Sequence, residues 1–359
     1  MITFFRVAGG AARVGDDRRG AVEVLTIRDL VRDEETERKY RDIKNMVGQS
    51  GMRSSIYDVN NTCNLRCKGC FYYSSGQNLV DDVGDLGVIK EFIEREKERG
   101  VNYAILIGGE PSLSLDRLDV WYENVKCSSA TNGVRRIPRE RYPEMRIGIS
   151  LWGDEEDEIR LRGKNTFGIS LEHYRGDDNT YYLYTITPQT IDKMESVTRK
   201  IEEAGLRVHY QLFSNDSNVD GMDWSDDLYR KVRDEMDRML ETYPHVVVSS
   251  KYYHQVLTTQ RMLGRRFGWM ECPSVSDAVD DREPRPKRLM GFNSYASDLR
   301  TIHRCCTSVT RDCSTCHDGA ATMSWIMVNK REHMGSPEDF ANWVDVTHMF
   351  AKLYEYIPW

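Results

Sequence analysis

From Ser54 onward the hydrophobic positions switch repeatedly between two periods. Ser54–Val59 reads as a first strand, and Tyr103–Ile107 is a continuous apolar run, the pattern of a strand buried on both faces. Between them Val88, Ile89, Phe92 and Ile93 recur at helical spacing with charges in between, and Gly100 stops that helix after Arg99. The alternation continues with a helix over Leu115–Tyr122, strands over Lys126–Thr131 and Arg146–Trp152, and a helix over Thr166–His173. A fifth strand at Tyr181–Ile186, a helix at Thr190–Ala204 stopped by Gly205, and a sixth strand at Leu206–Phe213 complete the series. Six strands alternating with helices predict βαβ units and a parallel sheet. Right-handed crossovers then curl it into an open, partial (β/α)6 barrel with its working loops at the strand C-termini.

The flanks read differently. Residues 1–50 form an N-terminal extension with a short strand expected at Val22–Ile27 and a charged, mostly solvated helix at Asp33–Met46. After a helix at Asp226–Thr242 and a seventh strand at Val246–Ser250 the rhythm breaks, and Pro and charge gather in a linker at Asp280–Lys287. An apolar and aromatic tail runs to Trp359. The division is therefore residues 1–50, a barrel at 51–245 and a C-terminal unit at 246–359.

Composition narrows the class. The 359 residues are 40% hydrophobic and 30% charged, so the chain is globular. Net charge is −7 with no long run of Lys and Arg, which argues against nucleic acid as a partner. No apolar run is long enough to span a membrane, and Met1–Gly20 lacks a signal peptide's apolar segment, so a cytoplasmic protein without a membrane partner is expected. Nine cysteines in that compartment point to metal sites or catalysis rather than disulfides.

Three of them, Cys63, Cys67 and Cys70, stand at C-x3-C-x2-C directly after the first strand. Cysteine thiolates hold iron–sulfur clusters, and three ligands on a four-iron cluster leave one iron open to a small molecule. A structural zinc site is the alternative, but no fourth Cys or His lies close by in sequence. The loop, with Asn61-Thr62 before it, Cys63-Asn64-Leu65-Arg66-Cys67 within it and an aromatic after Cys70, resembles the radical S-adenosylmethionine (radical SAM) superfamily. Gly108-Gly109-Glu110-Pro111, at the end of the second strand, is similar to that family's glycine-rich cofactor motif. Glycines let a backbone approach a ligand closely, and a carboxylate complements an ammonium group.

The resemblance implies a 4Fe-4S cluster on the three cysteines and S-adenosyl-L-methionine bound through Gly108, Gly109, Glu110 and Pro111. It further implies that Ser150 and Arg162 contact the cofactor's ribose and carboxylate. The competing expectation for Arg162 is a surface ion pair with Asp154, Glu155, Glu156 or Asp157. Family members often carry an aromatic residue just before the third cysteine, against the adenine. Here that residue is Gly69, and Phe71 is the expected substitute.

The late cysteines resemble the auxiliary-cluster domains, called SPASM or twitch, that follow many such barrels. Cys306, Cys313 and Cys316, with Cys272 as a distant fourth, would hold a second auxiliary 4Fe-4S cluster, with a four-cysteine zinc site as the alternative. Adjacent residues point apart, so Cys305 and Cys306 do not ligate together, and the shorter loop to Cys313 favours Cys306. Cys305 is left as a candidate hydrogen-atom donor, and Cys127 as a small buried hydrophobe. His317 beside Cys316 reads as a supporting or solvated residue.

The implied activity is that of a radical SAM oxidoreductase. It would cleave S-adenosylmethionine reductively to a 5′-deoxyadenosyl radical and abstract hydrogen from a small-molecule substrate. The outcome would be net oxidation, epimerisation or rearrangement in a biosynthetic pathway. An electron donor such as flavodoxin or ferredoxin is implied as partner. The alternatives are the same chemistry on a ribosomal peptide, and a non-catalytic iron–sulfur or zinc protein. Tyr181, Tyr182 and Tyr184, with His209 and Gln211, are candidates to line the barrel mouth; Tyr182 and Tyr184 share a face, and the sequence leaves open which strand face is inside.

Overall fold

The structure is a computed structural model that describes residues 25–47, 54–74, 76–215, 219–268, 294–302, 316–354 and 359. Strands form at β1 (Ser54–Asp58), β2 (Tyr103–Ile107), β3 (Cys127–Thr131), β4 (Arg146–Leu151), β5 (Thr180–Ile186) and β6 (Arg207–Leu212). All pair in parallel with their sequence neighbours, giving the partial barrel that the strand–helix alternation predicts. A short late strand, Ser294–Tyr295, pairs in parallel with the free edge of β1, so the sheet has seven strands.

Helices α1 (Ile27–Leu30) and α2 (Glu34–Val47) precede the sheet. Between strands lie α3 (Phe71–Ser74), α4 (Leu86–Glu98), α5 (Leu115–Asn124), α6 (Glu155–Asp157), α7 (Thr166–Tyr174) and α8 (Met194–Glu203). Helix α4 begins at Leu86 because the Asp85 carboxylate accepts from the Gly87 and Val88 amides, capping the first turn. After β6 come α9 (Asp226–Thr242), α10 (Lys251–Thr259), a hairpin of β7 (Arg261–Met262) and β8 (Arg265–Arg266), and then the late strand, β9. Helices α11 (Gly319–Val328) and α12 (Pro337–Tyr354) complete the described chain, apart from Trp359.

Register fixes the two faces of the sheet, because residues paired across parallel strands point the same way. Tyr57 packs on Phe92 of α4 and Trp121 of α5, so its row faces the helices. Tyr182 lies on that side, edge-on to Phe167 and bonded to Ser170, and Tyr184 bonds the Thr190 carbonyl. Neither lines the mouth as expected. The inner rows are Gly148–Tyr181–Arg207, Ser150–Leu183–His209 and Thr185–Gln211. His209 and Gln211 therefore do face the interior.

Several local expectations change. Ile27 opens a helical turn rather than ending a strand, because the Thr26 amide donates to the Asp29 carboxylate and starts a helix there. Residues 22–24 lie outside the described residues. Helix α2 is not solvated all round: Tyr40 packs edge-on against Phe340, Lys39 pairs with Asp345 at 2.8 Å, and Ile43 is buried. The seventh strand expected at Val246–Ser250 is reduced to a single bridge, Val208 to Val247. Ser250 turns the chain away by capping α10 through the Tyr253 amide.

The sequence pattern missed α10, α11 and α12. Helix α11 is apolar almost all round and α12 is buried along most of its length, so neither shows the one-sided stripe that marks a surface helix. Trp359 closes the floor of the barrel: its Nε1 donates to the Asp178 carbonyl, and the Arg146 guanidinium lies 4.1 Å from its ring centre. Cys272, Cys305, Cys306, Cys313 and the linker at Asp280–Lys287 lie outside the described residues.

Candidate active site

The loop after β1 is built by its own side chains. Arg66 Nη1 donates to the Cys63 carbonyl (2.9 Å), the Leu65 carbonyl (2.8 Å) and the Tyr73 hydroxyl (2.8 Å), with its guanidinium over the Tyr73 ring. The Lys68 amide donates to the Leu161 carbonyl at 2.8 Å, pinning the loop to the turn beyond β4. Cys63, Cys67 and Cys70 are free, half-buried thiols. Among the described residues, no three His, Cys, Asp or Glu side chains converge as they would on a single metal ion.

Asn60 joins this loop to the one after β2. Its Nδ2 donates to the Glu110 carbonyl (2.9 Å) and Ser114 Oγ (2.9 Å), while its Oδ1 accepts from the Glu110 amide (3.1 Å). Its own carbonyl accepts from the Gly109 amide at 2.9 Å. Gly109 has no room for a side chain, because a Cβ there would strike the Thr62 carbonyl. The glycine requirement thus arises from contact between the two loops, a cause the sequence did not reveal.

Glu110 is buried and heavily engaged. One carboxylate oxygen accepts from Thr131 Oγ1 (2.6 Å) and the Ser112 amide (3.0 Å), and the other from the Asn132 amide (2.7 Å). Pro111 follows as the first residue of a 3-10 turn that Glu110 caps. The same carboxylate therefore ties the end of β2 to the end of β3.

Arg162 is not on the surface, and none of the four acidic residues expected to pair with it does so. It lies at the end of a π-helical turn, Glu158–Arg162, where its Nη1 pairs with Glu158 (3.0 Å) and reaches the Ser150 carbonyl and Thr166 Oγ1 (3.3 Å). Its Nε is buried without a partner. Burial disfavours the guanidinium's charge, but Glu158 and then Cys67 outweigh it and hold the pKa above the ordinary value. Burial likewise pushes the Glu158 carboxyl up. The Cys67 thiol is pushed up by burial and pulled back by Arg162. Cys63 is raised by burial, with Glu110 and the other two cysteines adding to it.

Sequence reasoning also missed Asn132 and Phe213. Asn132 Nδ2 lies 3.7 Å from Cys63 Sγ and 2.7 Å from Asn64 Oδ1. Its only signal was the turn-forming Asn132-Gly133 pair after a strand. Phe213 fills the space a side chain at residue 69 would need: a Cβ on Gly69 would lie 2.8 Å from Phe213 Cζ and 2.8 Å from Val219 Cγ2. Phe213, Leu161 and Met222 form a small apolar cluster with Trp152 and Val219 against it. Phe71 is half-buried and opens α3. Ser150 faces the interior, one row below Thr185 and Gln211.

Residues 57–221 match the Radical SAM superfamily. This part of the chain is similar to a radical SAM domain. Similar solved structures include SuiB of Streptococcus suis bound to the precursor peptide SuiA, at 14% identity over 58% of this chain and 50% of that one, with a TM-score of 0.45. Another is anSMEcpe with bound AdoMet, at 18% identity over 80% and 83% of the two chains, with a TM-score of 0.48. The maturase HydG from Carboxydothermus hydrogenoformans is 13% identical over 86% and 80%, with a TM-score of 0.40. The chain spans about half the length of the first of these. No curated protein sequence matches it.

That similarity implies a 4Fe-4S cluster and S-adenosylmethionine, and the residues present fit them. A cluster binds each cysteine through a different iron, so it asks for three spaced thiolates rather than three converging on one ion. Three free thiols, N–H donors aimed at Cys63, and a buried guanidinium with an unpartnered Nε meet that requirement. Cys316 is the one late cysteine within the described residues: its carbonyl accepts from Gln260, and His317 beside it stacks on Tyr229 with ring centres 4.1 Å apart. His317 is therefore packed and not solvated.

Proposed function

We propose that the chain is an enzyme that cleaves S-adenosylmethionine reductively and uses the resulting radical to take hydrogen from a small-molecule substrate. In this reading Cys63, Cys67 and Cys70 hold the 4Fe-4S cluster, and the backbone of Gly108-Gly109-Glu110-Pro111 faces the cofactor's amino group. When bound, the cluster and the cofactor supply one-electron cleavage of a carbon–sulfur bond, chemistry no side chain can provide. The chain's own contribution is position and electrostatics. Glu110, saturated by Thr131, Ser112 and Asn132, holds the glycine loop in shape. Ser150 and Arg162 are assigned to the ribose and carboxylate, with the partly buried Trp152 and Phe213 as an apolar wall beside them.

The observation that carries this reading is the interlock of the cysteine loop with the glycine loop, through Asn60 and the close contact of Gly109 with Thr62. Two motifs from the ends of different strands are thereby held side by side. A small-molecule substrate is favoured over a peptide because α2 spends its apolar face on α12. Net oxidation is the preferred outcome if Cys272, Cys306, Cys313 and Cys316 hold a second cluster, with an electron donor of the flavodoxin or ferredoxin type supplying the first. Cys305 stands as the candidate hydrogen donor.

The test is anaerobic reconstitution with iron and sulfide, followed by reduction in the presence of S-adenosylmethionine. Formation of 5′-deoxyadenosine, lost in a Cys63→Ala, Cys67→Ala, Cys70→Ala triple variant, is the expected result. If that variant retains half of the wild-type iron, a second cluster is present. Absence of both iron and 5′-deoxyadenosine in the wild type overturns the reading.

A further inference from the structure

Two of the three cysteines each face a nitrogen donor from a distant part of the sheet. Asn132 leaves the end of β3, is buried, and turns its side-chain amide onto Cys63 Sγ at 3.7 Å. Three neighbours fix that orientation. The Val134 amide donates to Asn132 Oδ1 at 3.0 Å, which identifies Nδ2 as the donor end. Nδ2 also donates to Asn64 Oδ1 at 2.7 Å, and the Asn132 backbone amide is held by Glu110 Oε2 at 2.7 Å. The Leu65 amide adds a second N–H to Cys63 Sγ, at 3.4 Å.

On the opposite side, Arg162 lies against Cys67. The Lys68–Leu161 backbone bond brings the two together, and Nη1 is taken by Glu158, Thr166 and the Ser150 carbonyl. Its partnerless Nε remains as a donor. Arg162 acts on the Cys67 sulfur through its charge first and through an N–H second, with the Glu158 carboxylate beside it.

We propose that Asn132, supported by Arg162, is a positioning residue that sets the reduction potential of the cluster by N–H···S hydrogen bonding to its cysteine ligands. This rests on the radical SAM reading of the three cysteines. The physical reason is simple. Reduction adds negative charge that spreads onto the sulfurs, and a hydrogen-bond donor favours the more electron-rich state. Donors to Cys63 and Cys67 therefore raise the potential and make the first electron easier to deliver. The amide of Asn132 is neutral, so it does this without adding charge to the pocket.

The test compares wild-type and Asn132→Leu proteins, reconstituted and free of S-adenosylmethionine, in a redox titration followed by electron paramagnetic resonance. Leucine keeps the volume and removes the donor. A shift of the variant to lower potential, at equal iron content and equal melting temperature, is the expected result. An unchanged potential at equal iron content overturns the proposal. If Asn132→Leu fails to hold the cluster, the wild type labelled with 15N at the asparagine side-chain amide decides. A weak nitrogen coupling to the reduced cluster supports the proposal, and no coupling overturns it. Failure of the wild type itself to bind iron would instead remove the reading on which the proposal rests.

Discussion

Asn60 and Glu110 bond each other reciprocally, the side-chain amide of one spanning both the N–H and the C=O of the other at 3.1 and 2.9 Å. The pair is buried, so water cannot replace either bond. It also decides whether the cysteine loop and the glycine loop form one site.

Asn60→Ala leaves the buried Glu110 amide without a partner and the Glu110 carbonyl with only the Leu113 amide, at 3.1 Å. Roughly 2 kcal/mol of stability should be lost, the usual scale for unsatisfied buried groups. Affinity for S-adenosylmethionine should fall further than stability does, because the two loops lose their common register. Chemical denaturation and equilibrium dialysis on the reconstituted protein measure the two effects separately.

A second expectation concerns space rather than hydrogen bonds. Gly109→Ala would drive a methyl group into the Thr62 carbonyl, one residue before the first cysteine. Iron retention and cofactor affinity should both drop. Gly268 is the matched control: a Cβ there would meet nothing within 4 Å, so Gly268→Ala should leave both unchanged. Equal behaviour of the two variants would show that the contact carries no weight.

These two cases mark how far the sequence reaches. The strand periods and glycine stops of Ser54–Phe213 were legible because each element's pattern is local. The cysteine and glycine motifs were legible because their chemistry is written in adjacent residues. Asn60 and Asn132 were not, since a lone Asn after a strand reads as a turn, and only the parallel register brings it beside Cys63 or Glu110. Arg162 was singled out, but the acidic residues weighed as its partners are not the ones it meets. Its true partner, Glu158, lies one turn away on the same π-helical segment, a geometry no simple period predicts. The C-terminal helices were lost for the opposite reason: burial all round erases the stripe that reveals a helix.

His209 makes a pH-dependent prediction. Burial lowers its pKa to about 4, with the neighbouring His254 adding to the effect, while Nδ1 is held by the Val248 carbonyl at 2.9 Å. A folded-state pKa below the unfolded value contributes stability that is present above pH 6.5 and is lost as pH falls through about 4. The full loss is on the order of 3 kcal/mol. Denaturation of the apoprotein at neutral and acid pH should show it, and His209→Asn should lose less stability over the same interval. Parallel losses in both proteins would assign the acid sensitivity to other groups.

The last prediction separates two aromatic residues. Gly69 has a φ of +71°, and Phe213 with Val219 fills the space its side chain would need. An aromatic wall at this point of the cysteine loop is thus supplied from the end of β6 rather than from the loop itself. Phe213 is nearly buried, stands edge-on to Trp152 with ring centres 5.2 Å apart, and has its carbonyl fixed by Trp224 Nε1 at 2.8 Å. Phe71 is half-buried at the start of a four-residue helix, where its carbonyl accepts from Ser74 Oγ at 3.4 Å. Phe213→Ala should therefore weaken S-adenosylmethionine binding by about tenfold, the scale of a lost aromatic contact on a planar base. Phe71→Ala should change it little. Equilibrium dialysis on the reconstituted proteins ranks the two, and the reverse ranking would return the adenine contact to Phe71.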